Sequence, residues 1–413
     1  MSGLSELQQL LHPISSGEFV NSYFARRSVF IEGTADKVGD IFSWDKLEKA
    51  LERGQAIQDK RYNIHASFAR GDEPGASKQM VEASHQQVQS LYESGATICI
   101  TNIHMADPDL ARWAQALRTQ LNFTGTVGVN CYFSPDGVGL STHYDKRVVT
   151  NLQIAGKKRW RYSTEAAKSW PDHNAIYQDG QVEPADAGRA PADMEFREVE
   201  MKPGDLLCLP AGAWHSAQAS AGESLAINVY FQPQNFLQQL IPLLQNFASA
   251  NGDWRGGTPV SLDPVTGEMP PAVSAYLRER LAEFQLVAAK LLETPRAMTE
   301  PWLGAATHFP YTGWQPTPLA SLQGLTNDQR FRISKLALRF AQVQDKLVVP
   351  CENSLLRFPL AAGVVLSRLA AEPGTFTMQD VLAWGVRPEG PDPQKVLSYL
   401  QILIENRIVE PAK

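Results

Sequence analysis

The feature that most constrains this chain is a series of short, β-rich runs between residues 97 and 231, with no helical pattern among them. In order, the runs read TICITNI, TGTVGVNCYF, VVTNLQIAG, RWRYS, DLLCLPAG and SLAINVYF. Residues that favour turns separate them at 134–137, at Ala155-Gly156 and at 203–205. Strands at this spacing, without crossover helices, predict an antiparallel sandwich or barrel.

A polar stretch at residues 164–198 interrupts the strand series. It is rich in Pro, Asp and Ala, and it predicts a long surface insertion of a kind that often carries function. Before the strands, residues 1–60 show leucines at helical spacing, and Ser43 is the expected N-cap of a helix over SWDKLEKAL. Between these helical segments, the apolar burst at 26–33 predicts a short strand.

The pattern becomes helical after Pro233, where QNFLQQLIPLLQNFA and VSAYLRERLAEFQLVAAKLLE carry apolar residues at i, i+3, i+4 and i+7. A Pro- and Gly-rich connector at 307–324 then leads to a last segment. Its short helices and terminal strand are compatible with a winged helix. The chain therefore divides into three predicted parts: 1–234 with the strands, 235–324 with the helical region and linker, and 325–413.

Composition excludes several classes of protein. Lys plus Arg number 38 and Asp plus Glu 44, and a net charge of −6 argues against a non-specific nucleic-acid binder. No apolar stretch reaches the ~18 residues that span a bilayer, and the N-terminus lacks the pattern of a secretory signal. The four cysteines are far apart, which favours buried, reduced thiols in a cytoplasmic protein.

Three residues carry the chemistry of the predicted barrel: His143 and Asp145 in STHYDKR, and His215 in PAGAWHS. Residues i and i+2 of a strand point to the same face, so His143 and Asp145 are expected to project together into the interior. His215 begins another strand-like run beyond them. Two imidazoles and one carboxylate form the facial triad of non-haem Fe(II) oxygenases, which leaves coordination positions open.

A lysine in GKKRW, Lys158, is the second candidate, on the strand expected to neighbour the HxD motif. An ammonium that projects into a barrel pairs with a carboxylate as a point charge. The alternative is that residues 157–159 form a solvated turn. Strand alternation places Lys158 with Trp160 on one face and Lys157 with Arg159 on the other, but periodicity does not decide which face is inside.

The run NCYFSPDGVGLSTHYDKRVVTNLQIAGKKRWRYS, together with PGDLLCLPAGAWHSA and INVYF, resembles a JmjC-type 2-oxoglutarate oxygenase. It is most similar to the ribosomal oxygenase subfamily, whose members hydroxylate side chains of ribosomal proteins. The resemblance implies an α+β protein with a double-stranded β-helix core of the cupin or jelly-roll type. It also implies N-terminal helices, a helical dimerisation region and a C-terminal winged-helix-like domain.

The resemblance also implies roles for individual residues. The HYD motif and the distal histidine imply that His143, Asp145 and His215 ligate Fe(II). The lysine of the GxKxW element implies that Lys158 binds the distal carboxylate of 2-oxoglutarate. Three further residues are implied to contact 2-oxoglutarate, the last less firmly matched: Asn130, Tyr132 and Asn228. The insertion has no matching part in the family.

The predicted function is therefore that of an Fe(II)- and 2-oxoglutarate-dependent dioxygenase that hydroxylates an Arg or His side chain in a ribosomal protein. One alternative keeps the chemistry but takes a precursor peptide of a natural-product pathway as the substrate. Another is a cupin-like metal-binding protein without turnover.

Two surfaces outside the barrel bear on partners. The apolar stripe that includes Phe236 and Leu237 fits either packing against the barrel or a homodimer interface, and the resemblance favours the homodimer. The last segment lacks the clustered basic residues of a DNA groove reader, so a protein-contact or scaffold role is expected of it.

Overall fold

The computed structural model describes residues 5–69, 80–256, 262–263, 265–293, 299, 302–303, 328–333, 338–351, 354–371, 374–386 and 391–412. The described chain divides into two compact units, the first ending at Pro233 and the second starting at Gln234. The predicted connector at 307–324 lies entirely outside the described residues, and so does the boundary at 324/325. The division into three parts stays a prediction.

Helices open the first unit, as the leucine spacing within residues 1–60 predicts. The expectation of no helix among the β-rich runs is wrong, because the helix Pro108–Gln120 stands between the first two runs. Ser43 caps one of the helices, since its side chain accepts a hydrogen bond from the backbone N–H of Lys46 at 3.2 Å. Asp107 caps another in the same way, with Pro108 as the first helical residue. The helices of this unit are Glu6–Leu11, Ser16–Glu18, Trp44–Gly54, Val88–Glu93 and Pro108–Gln120.

The strands of the first unit form one connected, antiparallel, 12-stranded sheet. They are β1 Val29–Ile31, β2 Asn63–Ser67, β3 Val81–Ala83, β4 Thr97–Thr101, β5 Thr126–Ser134, β6 Gly139–Tyr144, β7 Val148–Ser163, β8 Ala175–Gln178, β9 Gln181–Glu183, β10 Phe196–Met201, β11 Leu206–Leu209 and β12 His215–Gln232. The short strand predicted at 26–33 is β1.

Two long strands, β7 and β12, belong to both layers of the core. The first half of β7 and the second half of β12 lie in a layer ordered β1-β11-β7-β12-β5-β4-β2-β3. Their other halves pair within a second layer ordered β10-β7-β12-β6-β8-β9. Strands that pass from one layer to the other make the corners of a sandwich. The predicted antiparallel sandwich is confirmed.

The bend between the layers corrects one prediction. The expected turn at Ala155-Gly156 is wrong, because β7 continues through both residues. Gly156 has a positive φ of 65°, and the pairing register with β12 shifts opposite it, between Ser220 and Leu225. A glycine in the left-handed region bends a strand without ending it when the partner strand bulges to match. VVTNLQIAG and RWRYS are therefore parts of one strand.

The insertion is structured rather than a plain loop. It leaves β7 after Ser163, forms the hairpin of β8 and β9, and returns to the sheet at β10. Its strand β8 pairs with β6. The insertion thereby extends the second layer.

The main core of the first unit lies between the first layer and the N-terminal helices. Fully buried aliphatic residues from the strands meet leucines from the helices there, and their contact supplies the hydrophobic stabilisation of the unit. Representative members are Leu11, Ile98, Ile100, Leu110, Leu117, Leu152 and Ile227.

The second unit contains helices and two three-stranded antiparallel sheets, ordered β17-β13-β18 and β14-β15-β16. Its strands are β13 Arg330–Ile333, β14 Ala341–Val343, β15 Lys346–Cys351, β16 Ser354–Pro359, β17 Thr375–Thr377 and β18 Val409–Pro411. Its described helices are Phe236–Ala250, Gly252–Arg255, Pro271–Glu293, Gly363–Ala371, Met378–Gly385 and Pro393–Glu405. The dimerisation and winged-helix assignments stay predictions.

Two further expectations concern the environment of the chain. Among the described residues, no helix combines the length and apolar character needed to cross a membrane. All four cysteines are free and buried, as their spacing predicts.

Candidate metal and co-substrate site

The three predicted metal ligands come from adjacent strands of the second layer. His143 lies on β6, Asp145 follows the end of that strand, and His215 opens β12. His143 and His215 are direct register partners across the β6–β12 pair. The second histidine thus meets the HxD motif through strand pairing, although the two are distant in sequence.

The side chains of these residues converge. The ring centroids of His143 and His215 lie 4.3 Å apart, and His215 Nε2 lies 3.9 Å from Asp145 Oδ2. One ligand atom from each of the three residues fits within 4.8 Å of the other two. Two imidazoles and one carboxylate at these separations fit a divalent transition metal held on one face.

Backbone carbonyls orient both imidazoles. Nδ1 of His143 lies 2.7 Å from the carbonyl oxygen of Ser141, and Nδ1 of His215 lies 2.9 Å from that of Ala213. A carbonyl only accepts, so each Nδ1 carries the proton and each Nε2 keeps its lone pair for a metal. Burial, reinforced by neighbouring His143, lowers the pKa of His215 to about 4, which keeps this ring neutral at pH 7.

Lys158 is a buried cation without a counter-charge. Its residue is 2% exposed, and Nζ donates one hydrogen bond to Ser134 Oγ at 3.3 Å. No carboxylate in the described part of the chain lies within ion-pair distance of it. Burial lowers its pKa to about 8. Because an unpaired buried charge is costly, the arrangement fits an anionic ligand that completes the pair.

Strand alternation around Lys158 decides between the two interpretations of GKKRW. Lys158 and Trp160 are buried, whereas Arg159 is exposed and Lys157 pairs with Glu200 at the surface. The solvated-turn alternative is wrong, since β7 runs through these residues.

The expectation that this strand directly neighbours the HxD strand is also wrong. Strand β12 lies between β6 and β7 and pairs with both.

The remaining predicted co-substrate residues lie on the first layer. Asn130 and Tyr132 are on β5, and Asn228 on β12 is the register partner of Asn130. The Tyr132 ring centroid is 6.0 Å from Lys158 Nζ. Asn130 Oδ1 accepts a hydrogen bond from the backbone N–H of Asn102 at 3.1 Å.

Two buried asparagines hold unused hydrogen-bonding capacity. Asn228 Nδ2 donates to Asn151 Oδ1 at 2.8 Å. Asn228 Oδ1 and Asn151 Nδ2 have no hydrogen-bond partner among the described residues. Buried amide atoms are normally satisfied, so these two fit a site that receives a polar ligand.

Several contacts within the site were not predicted from the sequence. Asn151 and Ser134 contact predicted residues, and a polar Asn within the buried run VVTNLQIAG was the available signal for the first. Arg147, which flanks the ligands, lies over the Tyr230 ring at 3.9 Å. The Tyr230 hydroxyl in turn donates to Asn102 Oδ1. No local sequence pattern indicates the contact of Arg147 with Tyr230 or that of Tyr230 with Asn102.

Comparison with known proteins finds a family match for the strand-rich part of the chain. The model of the JmjC domain family matches residues 103–239. The chain carries a JmjC domain. It is 23% identical over 262 residues to the Bacillus subtilis (strain 168) protein YxbC, covering 59% of this chain and 77% of YxbC. The match therefore extends beyond the strands that hold the triad.

Two further proteins similar to this chain carry names that state an activity. The Drosophila grimshawi bifunctional lysine-specific demethylase and histidyl-hydroxylase NO66 is 27% identical over 274 residues, which cover 62% of this chain and 35% of NO66. This chain thus spans about a third of NO66. A structure of the Escherichia coli ribosomal oxygenase YcfD with cobalt and 2-oxoglutarate has a TM-score of 0.57 at 16% identity, covering 96% of this chain and 98% of YcfD. The structural likeness shows the shared fold.

These relationships confirm the resemblance found in the sequence. The relatives of the JmjC domain include proteins named as ribosomal oxygenases, in agreement with the predicted subfamily. His143, Asp145 and His215 could hold a metal ion, and the solved YcfD structure contains cobalt and 2-oxoglutarate, as the predicted Fe(II) and 2-oxoglutarate would require. The roles of the individual side chains stay predictions.

Proposed function

We propose that this enzyme uses Fe(II), 2-oxoglutarate and O₂ to hydroxylate an Arg or His side chain of a ribosomal protein. The observation that carries the proposal is the convergence of His143, Asp145 and His215 in the same strand sandwich as Lys158, which is buried and has no carboxylate partner among the described residues. The ribosomal oxygenases among its relatives support the substrate class.

In this proposal the triad holds Fe(II), and Lys158 pairs with the distal carboxylate of 2-oxoglutarate. Asn130, Tyr132 and Asn228 contact the same molecule: Asn228 offers an unpartnered amide oxygen. When bound, Fe(II) and 2-oxoglutarate would use O₂ for an oxidative decarboxylation that yields succinate and CO₂, with one oxygen atom of O₂ entering succinate and the other entering a substrate C–H bond to give the alcohol.

The side chains of this chain contribute orientation and an enclosed environment. The carbonyls of Ser141 and Ala213 hold the two imidazoles with Nε2 available, before any metal is present. Trp160 stacks near His215, with ring centroids 5.9 Å apart, and shields that ligand from water. Lys158 keeps its proton below about pH 8 and so presents an ammonium to a carboxylate.

The setting of the enzyme is proposed from the same relationships. We place it in the cytoplasm, as a homodimer formed through the helical region, with the winged-helix-like segment as a protein-contacting scaffold. Nucleic acid is not a proposed partner, because the net charge of the chain is −6.

Intact-mass comparison of ribosomal proteins tests the substrate. Ribosomes from cells with and without the gene are compared, and one ribosomal protein is expected to lose 16 Da, about the mass of one oxygen atom, when the gene is absent. Complementation with wild type restores the mass, and His143→Ala does not. Identical mass spectra with and without the gene overturn the ribosomal substrate. A mass change in a secreted peptide instead favours the precursor-peptide alternative.

A further inference from the structure

The insertion at 164–198 is built directly onto the strand that carries a predicted metal ligand. Its strand β8 pairs with β6, with His143 opposite Ile176 and Tyr144 opposite Ala175. The backbone N–H of Lys146, next to Asp145, also donates to Asn174 Oδ1 at 2.9 Å. The insertion therefore contacts the HxD motif itself and the residue that follows it.

Two aromatic residues adjacent to the ligands reach into the insertion. Tyr144 stands between His143 and Asp145, and Trp214 precedes His215. Both side chains are 0% exposed, and their ring centroids lie 4.7 Å apart. They pack against three alanines: Ala167, Ala175 and Ala187.

Each aromatic residue donates a hydrogen bond to the same turn of the insertion. Tyr144 Oη donates to the carbonyl of Ala187, and Trp214 Nε1 donates to the carbonyl of Arg189, both at 2.9 Å. Gly188 separates the two accepting residues and has a positive φ of 92°. The 187–189 turn thus presents two carbonyls to residues that adjoin all three ligands.

The turn is also fixed from its other side. A Cβ at position 188 would lie 2.5 Å from the carbonyl oxygen of Ala167, so the close approach there requires glycine. Ala167 in turn donates its N–H to the Gly212 carbonyl at 2.8 Å, and Gly212 donates its own to the Asp145 carbonyl at 2.8 Å. A second chain of hydrogen bonds therefore links the turn to Asp145.

We propose that the 187–189 turn acts through Tyr144 and Trp214 to hold the three ligands at metal-binding separation. Tyr144 and Trp214 are then positioning residues of the metal centre, and the insertion is part of its support. The inference rests on the proposed metal site. Hydrogen-bonded supports behind metal ligands typically change metal affinity by about 10–100-fold when they are removed.

Titration of the full-length metal-free protein with Co(II) tests the proposal, with the visible absorption of bound Co(II) as the readout. Tyr144→Phe removes one hydroxyl, and Trp214→Phe removes the indole N–H. Each is expected to raise the Co(II) dissociation constant roughly 10-fold, at the lower end of the range for such supports, and to alter the absorption band. Gly188→Ala displaces both carbonyls and is expected to have at least the effect of either single variant.

Tyr62→Phe is the matched control. Tyr62 is also buried, and its hydroxyl forms one hydrogen bond, with His85 Nε2 at 3.2 Å, outside the metal centre. This variant should lose similar thermal stability and keep the wild-type Co(II) affinity and absorption band. Wild-type affinity and an unchanged band in folded Tyr144→Phe and Trp214→Phe would overturn the positioning role. Failure of wild type to bind Co(II) would instead overturn the proposed metal site.

Discussion

His143 and His215 are register partners on β6 and β12, and each ring is held by the carbonyl two residues before it. The same local device therefore orients both imidazoles. Because the proton sits on Nδ1 in each ring, the two Nε2 atoms face the space that Asp145 also borders. The two imidazoles are therefore ordered when the strands fold, so metal binding does not have to order them.

Removal of one imidazole is expected to abolish activity. His143→Ala leaves one histidine and one carboxylate, a set too small to retain Fe(II) at working concentrations. Succinate formation with Fe(II) and 2-oxoglutarate should therefore fall to background. His12→Ala, which changes an exposed histidine, should keep wild-type turnover. Retained turnover in His143→Ala contradicts the assignment of this ligand.

The affinity for 2-oxoglutarate should depend on pH through Lys158. Burial holds the pKa of Lys158 at about 8 in the free protein, and a bound carboxylate favours the charged form. Affinity is then constant below pH 8 and falls up to about tenfold per pH unit above it. Calorimetric titration of the Co(II)-loaded protein between pH 6.5 and about 9.5 measures this slope.

Lys158→Met is the matching variant, since it keeps the length of the side chain without its charge. It should weaken 2-oxoglutarate binding by at least about 2 kcal/mol, or roughly 30-fold, and flatten the pH dependence. The free protein should be as stable as wild type or more stable, because an unpaired buried charge is gone. A slope that persists in Lys158→Met assigns the pH dependence to another group.

The same lowered pKa has a consequence for folding. The unfolded chain holds the Lys158 proton up to about pH 10.4, whereas the folded chain releases it near pH 8. Between these values the unfolded state binds more protons, so the contribution of Lys158 makes the free energy of unfolding rise with pH. Lys158→Met should lack this rise in urea unfolding measured at pH 7.5 and about pH 9.5.

The sequence allowed prediction of most strands and of the HxD motif because both depend on local patterns, whereas His215 was added from its own motif and from the family resemblance. β-rich runs bounded by turn residues revealed the strands, and His143 and Asp145 share one short motif. Alternation also paired Lys158 with Trp160, although only the structure shows that this face is buried. These features needed no knowledge of which strands are neighbours.

Features that depend on strand pairing escaped prediction. The bend at Gly156 resembles a hairpin turn in sequence, and only the matching bulge near Ser220 shows that β7 continues. The hydrogen bonds from Tyr144 and Trp214 to the insertion join residues far apart in the chain. Their donors have no distinctive spacing, and their acceptors are backbone carbonyls, which every residue carries.

The apolar face of the helix Phe236–Ala250 supports the predicted homodimer. Phe236 and Leu237 are 68% and 62% exposed, an unusual state for two adjacent large apolar residues. Light scattering at micromolar concentration should give twice the mass of one chain. Leu237→Lys should shift the protein toward monomer, whereas Ser249→Lys, at an exposed polar position of the same helix, should not. A monomer in wild type contradicts the prediction.

Gly156, at the bend of β7, should matter more for the free energy of unfolding than Gly137, which also has a positive φ but has no neighbouring atoms where a side chain would be. Gly137 has a φ of 73° and nothing within 4 Å of an added Cβ, so Gly137→Ala costs only the left-handed penalty of about 1–2 kcal/mol. At Gly156 the added Cβ would also overlap the Glu223 carbonyl, and the two strands must separate to admit it. The free energy of unfolding in urea should therefore fall further for Gly156→Ala than for Gly137→Ala. Equal losses would show that the corner tolerates a side chain and that the bend of β7 does not depend on glycine.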